Sequence, residues 1–279
     1  MSASLSDVEN VIIGSASAVL VVASLQPTIY LKNAAAQGLP LSSSSFHPRV
    51  LYRGVAVNLA NEMGQLSAQF GVTGSFKKLF DKTPTGEMTA AASAGAVVAL
   101  YVSPCELLMV QQQKYGTSLL STCRHVVSTF GLSYCALRGL QCAMIRDSIM
   151  VCGMLGATPV IQETLKERKT FGEGDNTAAN SLAASMLGGV FAALMSHPFD
   201  VLNTCVKGDL EQKLYKGVGD TARTLFKEGG AKRFFGGGLW RTINITATVW
   251  IANECARVMP EPVKAVTRGT FGMTGPNKE

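Results

Sequence analysis

Three apolar stretches of this chain, each long enough to cross a bilayer as a helix, carry a proline at the same place in the same pattern. They read GSASAVLVVASLQPTIYLKN, SAGAVVALYVSPCELLMVQQQ and MLGGVFAALMSHPFDVLNTCVK. In each, small residues lead into an apolar run, then the proline, then a polar segment. Ala18, Gly95 and Gly189 stand nine residues before Pro27, Pro104 and Pro198. A shared offset of this kind marks internal repetition. Each proline removes a backbone donor and should kink its helix. In hydrocarbon such a break is tolerated only where the freed carbonyl faces protein or a wet cavity. Three kinks at one depth therefore predict a common interior. Small residues would let helix backbones close in around it.

About twenty apolar residues suffice for a span. Spans are predicted near 9–36, 54–80, 87–113, 139–166, 177–206 and 237–258, making an all-α membrane protein of six transmembrane helices. They pair into three tandem pseudo-threefold repeats of two helices at 1–82, 83–170 and 171–260, with a tail at 261–279. The odd helices are the ones kinked at proline. Composition agrees, with 47% hydrophobic and 16% charged residues, where soluble domains are about one quarter charged.

The formal net charge of +6 comes without the dense Lys/Arg stripe and interleaved aromatics that would point to nucleic acid. Basic residues beside spans suit anionic lipid head groups. Seven cysteines are scattered with no Cys-x-x-Cys pair, and His47, His125 and His197 are isolated. No disulfide framework, metal site or cofactor is expected. No nucleophile–base arrangement or phosphate loop points to an enzyme. The start, MSASLSDVEN, has Asp7 and Glu9 and no arginine, unlike a cleavable presequence, so targeting information is expected to be internal.

The segments at the three prolines read PTIYLK, PCELLM and PFDVLN. The third continues as LYKGVGDTARTLFKEGGAKRFFGG, the second as STCRHVVSTFG and Leu137-Arg138-Gly139, the first as Tyr52-Arg53-Gly54. On these residues the chain resembles the mitochondrial carrier family. That family carries Pro-x-(Asp/Glu)-x-x-(Lys/Arg) on each odd helix, then a matrix helix and a Gly-bearing turn into the even helix. The third repeat matches best, through Tyr215, Gly217, Asp220, Glu228, Gly229 and Gly237. The first departs in length. From proline to turn glycine it takes 27 residues, against 35 and 39 in the second and third, and its linker is GLPLSSSSFHP. Serines and prolines do not build a helix there, so the matrix helix of repeat one is expected to be absent or reduced to a turn.

The resemblance implies a ring of salt bridges closing the matrix side. By position, Lys32 should meet Asp200, Glu106 should meet Asn203 through a hydrogen bond, and Ile29 should meet Met109 in an apolar contact. Acid and base are thus missing together at one contact, leaving a ring that is packed but weak as a switch. Gln112 stands where a glutamine would brace it. The cytoplasmic gate is represented by Glu254 and Arg257 on the sixth helix and by Glu163 and Lys166 on the fourth. Arg146 and Asp147 fall at the level where the family contacts substrate, with Arg241 near the same cavity. A guanidinium holds a carboxylate through parallel hydrogen bonds. Adjacent residues on a helix point about 100° apart, so a direct Arg146–Asp147 pair looks awkward and a third partner is expected. Cardiolipin is the implied lipid, at the helix starts marked by Arg53, Gly54, Arg138, Gly139 and Gly217.

What the resemblance implies is a solute carrier of the mitochondrial inner membrane. It would move a small, carboxylate-bearing metabolite by alternating access. The competing expectation is a transport-inactive homologue serving as a subunit of a large inner-membrane complex of respiratory-chain type. Gate charges lost as a pair and a shortened first matrix segment favour that alternative.

Overall fold

The computed structural model describes residues 7–76, 79–80, 83–168 and 177–263. The expected repeat boundaries near 82 and 170, and the tail from 264 onward, lie outside the described residues. Six long helices dominate: α1 (Asp7–Ala36), α3 (Val55–Phe76), α4 (Pro84–Tyr115), α7 (Leu140–Glu167), α8 (Thr177–Gly208) and α10 (Gly238–Val258). Four shorter ones connect them: α2 (Pro48–Leu51), α5 (Leu119–Phe130), α6 (Leu132–Leu137) and α9 (Val218–Gly229). No strand occurs among the described residues. Pro27, Pro104 and Pro198 lie inside α1, α4 and α8, which run on past them.

The second and third repeats carry 12-residue connecting helices, α5 and α9. The first has only a 3-10 turn at Ser43–Phe46 and the four-residue α2. Its serines cap and bend the chain through their own hydroxyls, as Ser42, Ser44 and Ser45 do here.

Segments Ile12–Ala36, Met88–Tyr115 and Ala179–Gly208, all on odd helices, are long and apolar enough to cross a membrane. The even helices carry polar interior residues of their own, among them Asn58 and Asn61 on α3, Arg146 and Asp147 on α7, and Arg241 on α10. Those residues lower their hydropathy. Packing is inside-out for a soluble protein. Val19, Leu20, Leu100, Leu187, Phe191 and Trp250 are exposed, while Gln26, Asn33, Arg146, Asp200, Asn203 and Lys207 are buried. Large apolar exposure around a polar interior suits a lipid surround.

The small residues of the repeat mark close approaches. A Cβ at Gly95 would come within 2.9 Å of the Asp147 carbonyl on α7, and one at Gly189 within 3.2 Å of Ile245 on α10. The entry to each even helix repeats one device. Gly54, Gly139 and Gly237 have φ of +80°, +78° and +84°, a region glycine enters without strain. Each lies against the next odd helix: Gly54 on Met109, Gly139 on Asn203, Gly237 on Lys32. These are the three positions where the resemblance puts a base, so the threefold relation holds at the level of single contacts.

Candidate functional site

A buried charge cluster sits where α1, α4, α7, α8 and α10 converge. Asp200, on α8 two residues past Pro198, accepts Lys32 Nζ from α1 at 2.9 Å and Arg241 Nη1 from α10 at 2.7 Å. Its other oxygen lies 3.2 Å from Arg146 Nη1 on α7. Glu106, two residues past Pro104 on α4, takes Arg146 Nη1 at 2.5 Å on one oxygen. Its second oxygen accepts Asn203 Nδ2 and Lys207 Nζ, each at 2.9 Å. The gate pairs Lys32–Asp200 and Glu106–Asn203 are therefore in contact. Met109 is buried against Gly54 and Ile29 is half-buried.

One reading needs correction. Arg146 does bond its neighbour, Nε to Asp147 Oδ1 at 2.8 Å. The long arginine stem folds the guanidinium back along the helix, which the angle between adjacent Cα–Cβ directions does not forbid. It also has third partners, the gate acids Glu106 and Asp200. Arg241 belongs to the same cluster, donating to Ser196 Oγ at 2.8 Å as well as to Asp200. Residues expected at the level of substrate contact are thus ion-paired to the gate acids. Four cations (Lys32, Arg146, Lys207, Arg241) pair with three acids (Glu106, Asp147, Asp200), and a fourth acid, Glu62 on α3, stands within electrostatic reach of Lys32, Arg146 and Glu106.

Some functional candidates escaped the sequence reading. Lys207 is wholly buried on Glu106. Asn33 on α1 donates to Gln113 on α4 at 2.7 Å. Gln111, not Gln112, braces α8, donating to the Lys207 carbonyl at 2.6 Å. Gln112 turns to the Thr117 carbonyl of its own segment. His197 is buried with Nε2 3.2 Å from the Gly236 carbonyl and Nδ1 3.9 Å from Asp200. The available signal was helical spacing: Gln113 and Lys207 each stand one turn after a position that lacks its base.

The opposite end is different. Glu254 and Arg257 pair with each other on α10 at 2.6 Å, exposed and one turn apart, and so join no two helices. Glu163 and Lys166 are exposed on α7 with no ion pair among the described residues. Among the described residues, one end of the bundle is tied by buried charges and the other is not.

Of the two arginines expected to meet lipid phosphate, Arg138 is otherwise engaged. Arg138 donates to the carbonyls of Val206, Asp209, Tyr215 and Lys216, at the C-terminal end of α8 and beyond. A Cβ at Gly116, which caps α4, would fall 2.7 Å from Arg53 Cζ. Arg233 donates to the Ala36 carbonyl at the end of α1 at 2.7 Å. Each thus sits at the negative end of an odd helix, a favourable place for a cation. Beside Arg138 an open cleft of about 360 Å³ is lined by Tyr134, Gly139, Gln141, Gly217 and Val218.

Residues 174–254 match the mitochondrial carrier protein family. The chain is 28% identical over 168 residues to the mitochondrial 2-oxodicarboxylate carrier 1 of Saccharomyces cerevisiae, a match covering 56% of this chain and 53% of that protein. It is 27% identical over 226 residues to a mitochondrial arginine transporter of Arabidopsis thaliana, covering 75% and 74%. It is 26% identical over 209 residues to a mitochondrial dicarboxylate/tricarboxylate transporter of the same plant, covering 67% and 68%. The chain spans about half the length of the yeast 2-oxodicarboxylate carriers it matches.

Proposed function

We propose, since this chain is a divergent member of the mitochondrial carrier family and so a multi-pass protein of the mitochondrial inner membrane, that it moves a small dicarboxylate-type metabolite across that membrane by alternating access. The observation that carries this reading is the capture of Arg146 by Glu106 and Asp200. A guanidinium held by carboxylates is a site another carboxylate can take over through the same parallel hydrogen bonds. A substrate acid bound to Arg146 would release Glu106 and Asp200. Their hold on Lys207, Lys32 and Arg241 would then be free to change, and the tied end could open. A ligand shifts such an equilibrium only through different contacts in the two states, and this exchange provides the difference. Relatives named for 2-oxodicarboxylates and for dicarboxylates agree with a dicarboxylate-type substrate.

The lipid partner in this reading is cardiolipin, with its phosphate in the cleft between Gly139 and Gly217. Backbone N–H groups at the start of α9 would hold it. The Arg138 side chain would not, being spent on carbonyls.

The test is uptake by the full chain purified and reconstituted in liposomes, with labelled 2-oxodicarboxylates, dicarboxylates and arginine. Saturable uptake of an acid is expected, falling on the order of tenfold or more in Arg146→Gln. Failure of folded wild-type protein to take up any of them, with quantitative co-migration in a large native complex, would replace this reading with a transport-inactive subunit.

A further inference from the structure

One seam of the tied end keeps its acid and base, Lys32–Asp200 between α1 and α8. In the other two the base positions hold Met109 and Asn203, and at the first of them the acid position holds Ile29. Four residues on from Ile29, Met109 and Asn203 stand Asn33, Gln113 and Lys207. That step is one helical turn on the same face. Asn33 and Gln113 are bonded to each other at 2.7 Å, both buried, between α1 and α4. Lys207 reaches Glu106 at 2.9 Å, between α4 and α8.

The helix geometry explains how a residue one turn away can serve. Cα–Cβ bonds tilt toward the helix N-terminus. A long side chain at 207 therefore swings back to the level of position 203. Room for its stem comes from Gly139, where a Cβ would lie 3.1 Å from Lys207 Cε and 3.2 Å from its Cγ. Gln111 and Lys114 hold the α8 backbone there, donating to the Lys207 and Gly208 carbonyls at 2.6 Å each. Lys207 is 0% exposed, and its single ion pair among the described residues is Glu106. A buried ammonium is costly unless paired, so the pair and the space around it belong together.

We propose that the tied end is a displaced gate, its two defective contacts moved one turn along the helices, with Lys207 as the positioning base that holds Glu106. Its consequence for transport rests on the alternating-access reading, but its existence does not.

The experiment uses the full chain in mild detergent and in liposomes, with Glu106→Gln, Lys207→Met, their double, and Asn203→Lys combined with Lys207→Met. Melting is followed with a thiol-reactive dye. Lys207→Met is expected to lower the melting temperature by about 5 °C or more. The Glu106/Lys207 double should melt no lower than the worse single, the non-additivity of partners. Asn203→Lys should restore at least about half of the loss, because it returns a base to the original level. Liposome uptake should fall on the order of tenfold in Lys207→Met and recover in the relocated variant. Additive single losses, or no recovery with Asn203→Lys, would overturn the displaced gate. Intact coupling in a chain that transports nothing would support the gate and sink the transport reading. Should Lys207→Met not fold, Lys207→Gln with and without Asn203→Lys makes the same comparison.

Discussion

Asp200 is the acid on which the tied end turns, and Asp200→Asn is the perturbation that tests it. Its carboxylate side chain is 2% exposed and meets Lys32, Arg241 and Arg146 within 3.2 Å. Asparagine keeps the volume and removes the charge. Three cations are then left around a neutral amide that can accept through one atom only. Removing one partner of a buried ion pair costs about 3–5 kcal/mol. Lys32→Met is the comparison. Lys32 is the more exposed partner, at 16%, and its loss leaves Asp200 with both arginines. That change should cost about 1–3 kcal/mol, the range for a charged hydrogen bond. With roughly 2–4 °C per kcal/mol for a chain of this size, Asp200→Asn should melt about 10 °C below wild type and Lys32→Met only several degrees below. Thiol-reactive dye melting in detergent suits the chain, because Cys142 and Cys205 are fully buried and react only on unfolding. Asp200→Asn melting within about 2 °C of wild type, or above Lys32→Met, would refute the reasoning.

Asp209, just past the end of α8, gives a pH test. Burial pushes its carboxyl up, but the N–H groups of Tyr215, Leu214 and Lys213 outweigh that and hold it below the usual carboxylate value. A depressed folded pKa contributes stability above the unfolded value, about 3.9, and loses it as pH falls through the folded one. The melting gap between wild type and Asp209→Asn should therefore be constant above about pH 4 and close below it. A gap that stays unchanged far into acid would contradict this. Cardiolipin added to lipid-depleted protein should raise its melting temperature where phosphatidylcholine does not. Gly217→Glu should abolish the rise without harming α9, since acids suit a helix start. An equal rise with both lipids, or one untouched by Gly217→Glu, would count against the cleft.

The helices were legible because hydropathy and proline act locally. The segments expected at 87–113 and 139–166 appear as the helices α4 and α7, Pro84–Tyr115 and Leu140–Glu167, of which α4 is also long and apolar enough to cross a membrane. The serine-rich linker after α1 forms turns for the same local reason. Lys32–Asp200 and Glu106–Asn203 followed from the pairing that the family resemblance implies, carried over position by position, because a repeated helix pair puts the same register position at each seam. Lys207, the Asn33–Gln113 bond and the capture of Arg146 did not. Each depends on how far a long side chain swings and which neighbour it meets, and that is set by helices brought together from distant parts of the chain. Arg138 shows the same limit. Beside Gly139 it read as a phosphate ligand, but once α7 and α8 are packed it lies among the unpaired carbonyls at the end of α8 and satisfies them. Hydropathy, proline and glycine placement specify the helices and their threefold arrangement. Which charge closes which seam follows from side-chain reach within the packed bundle.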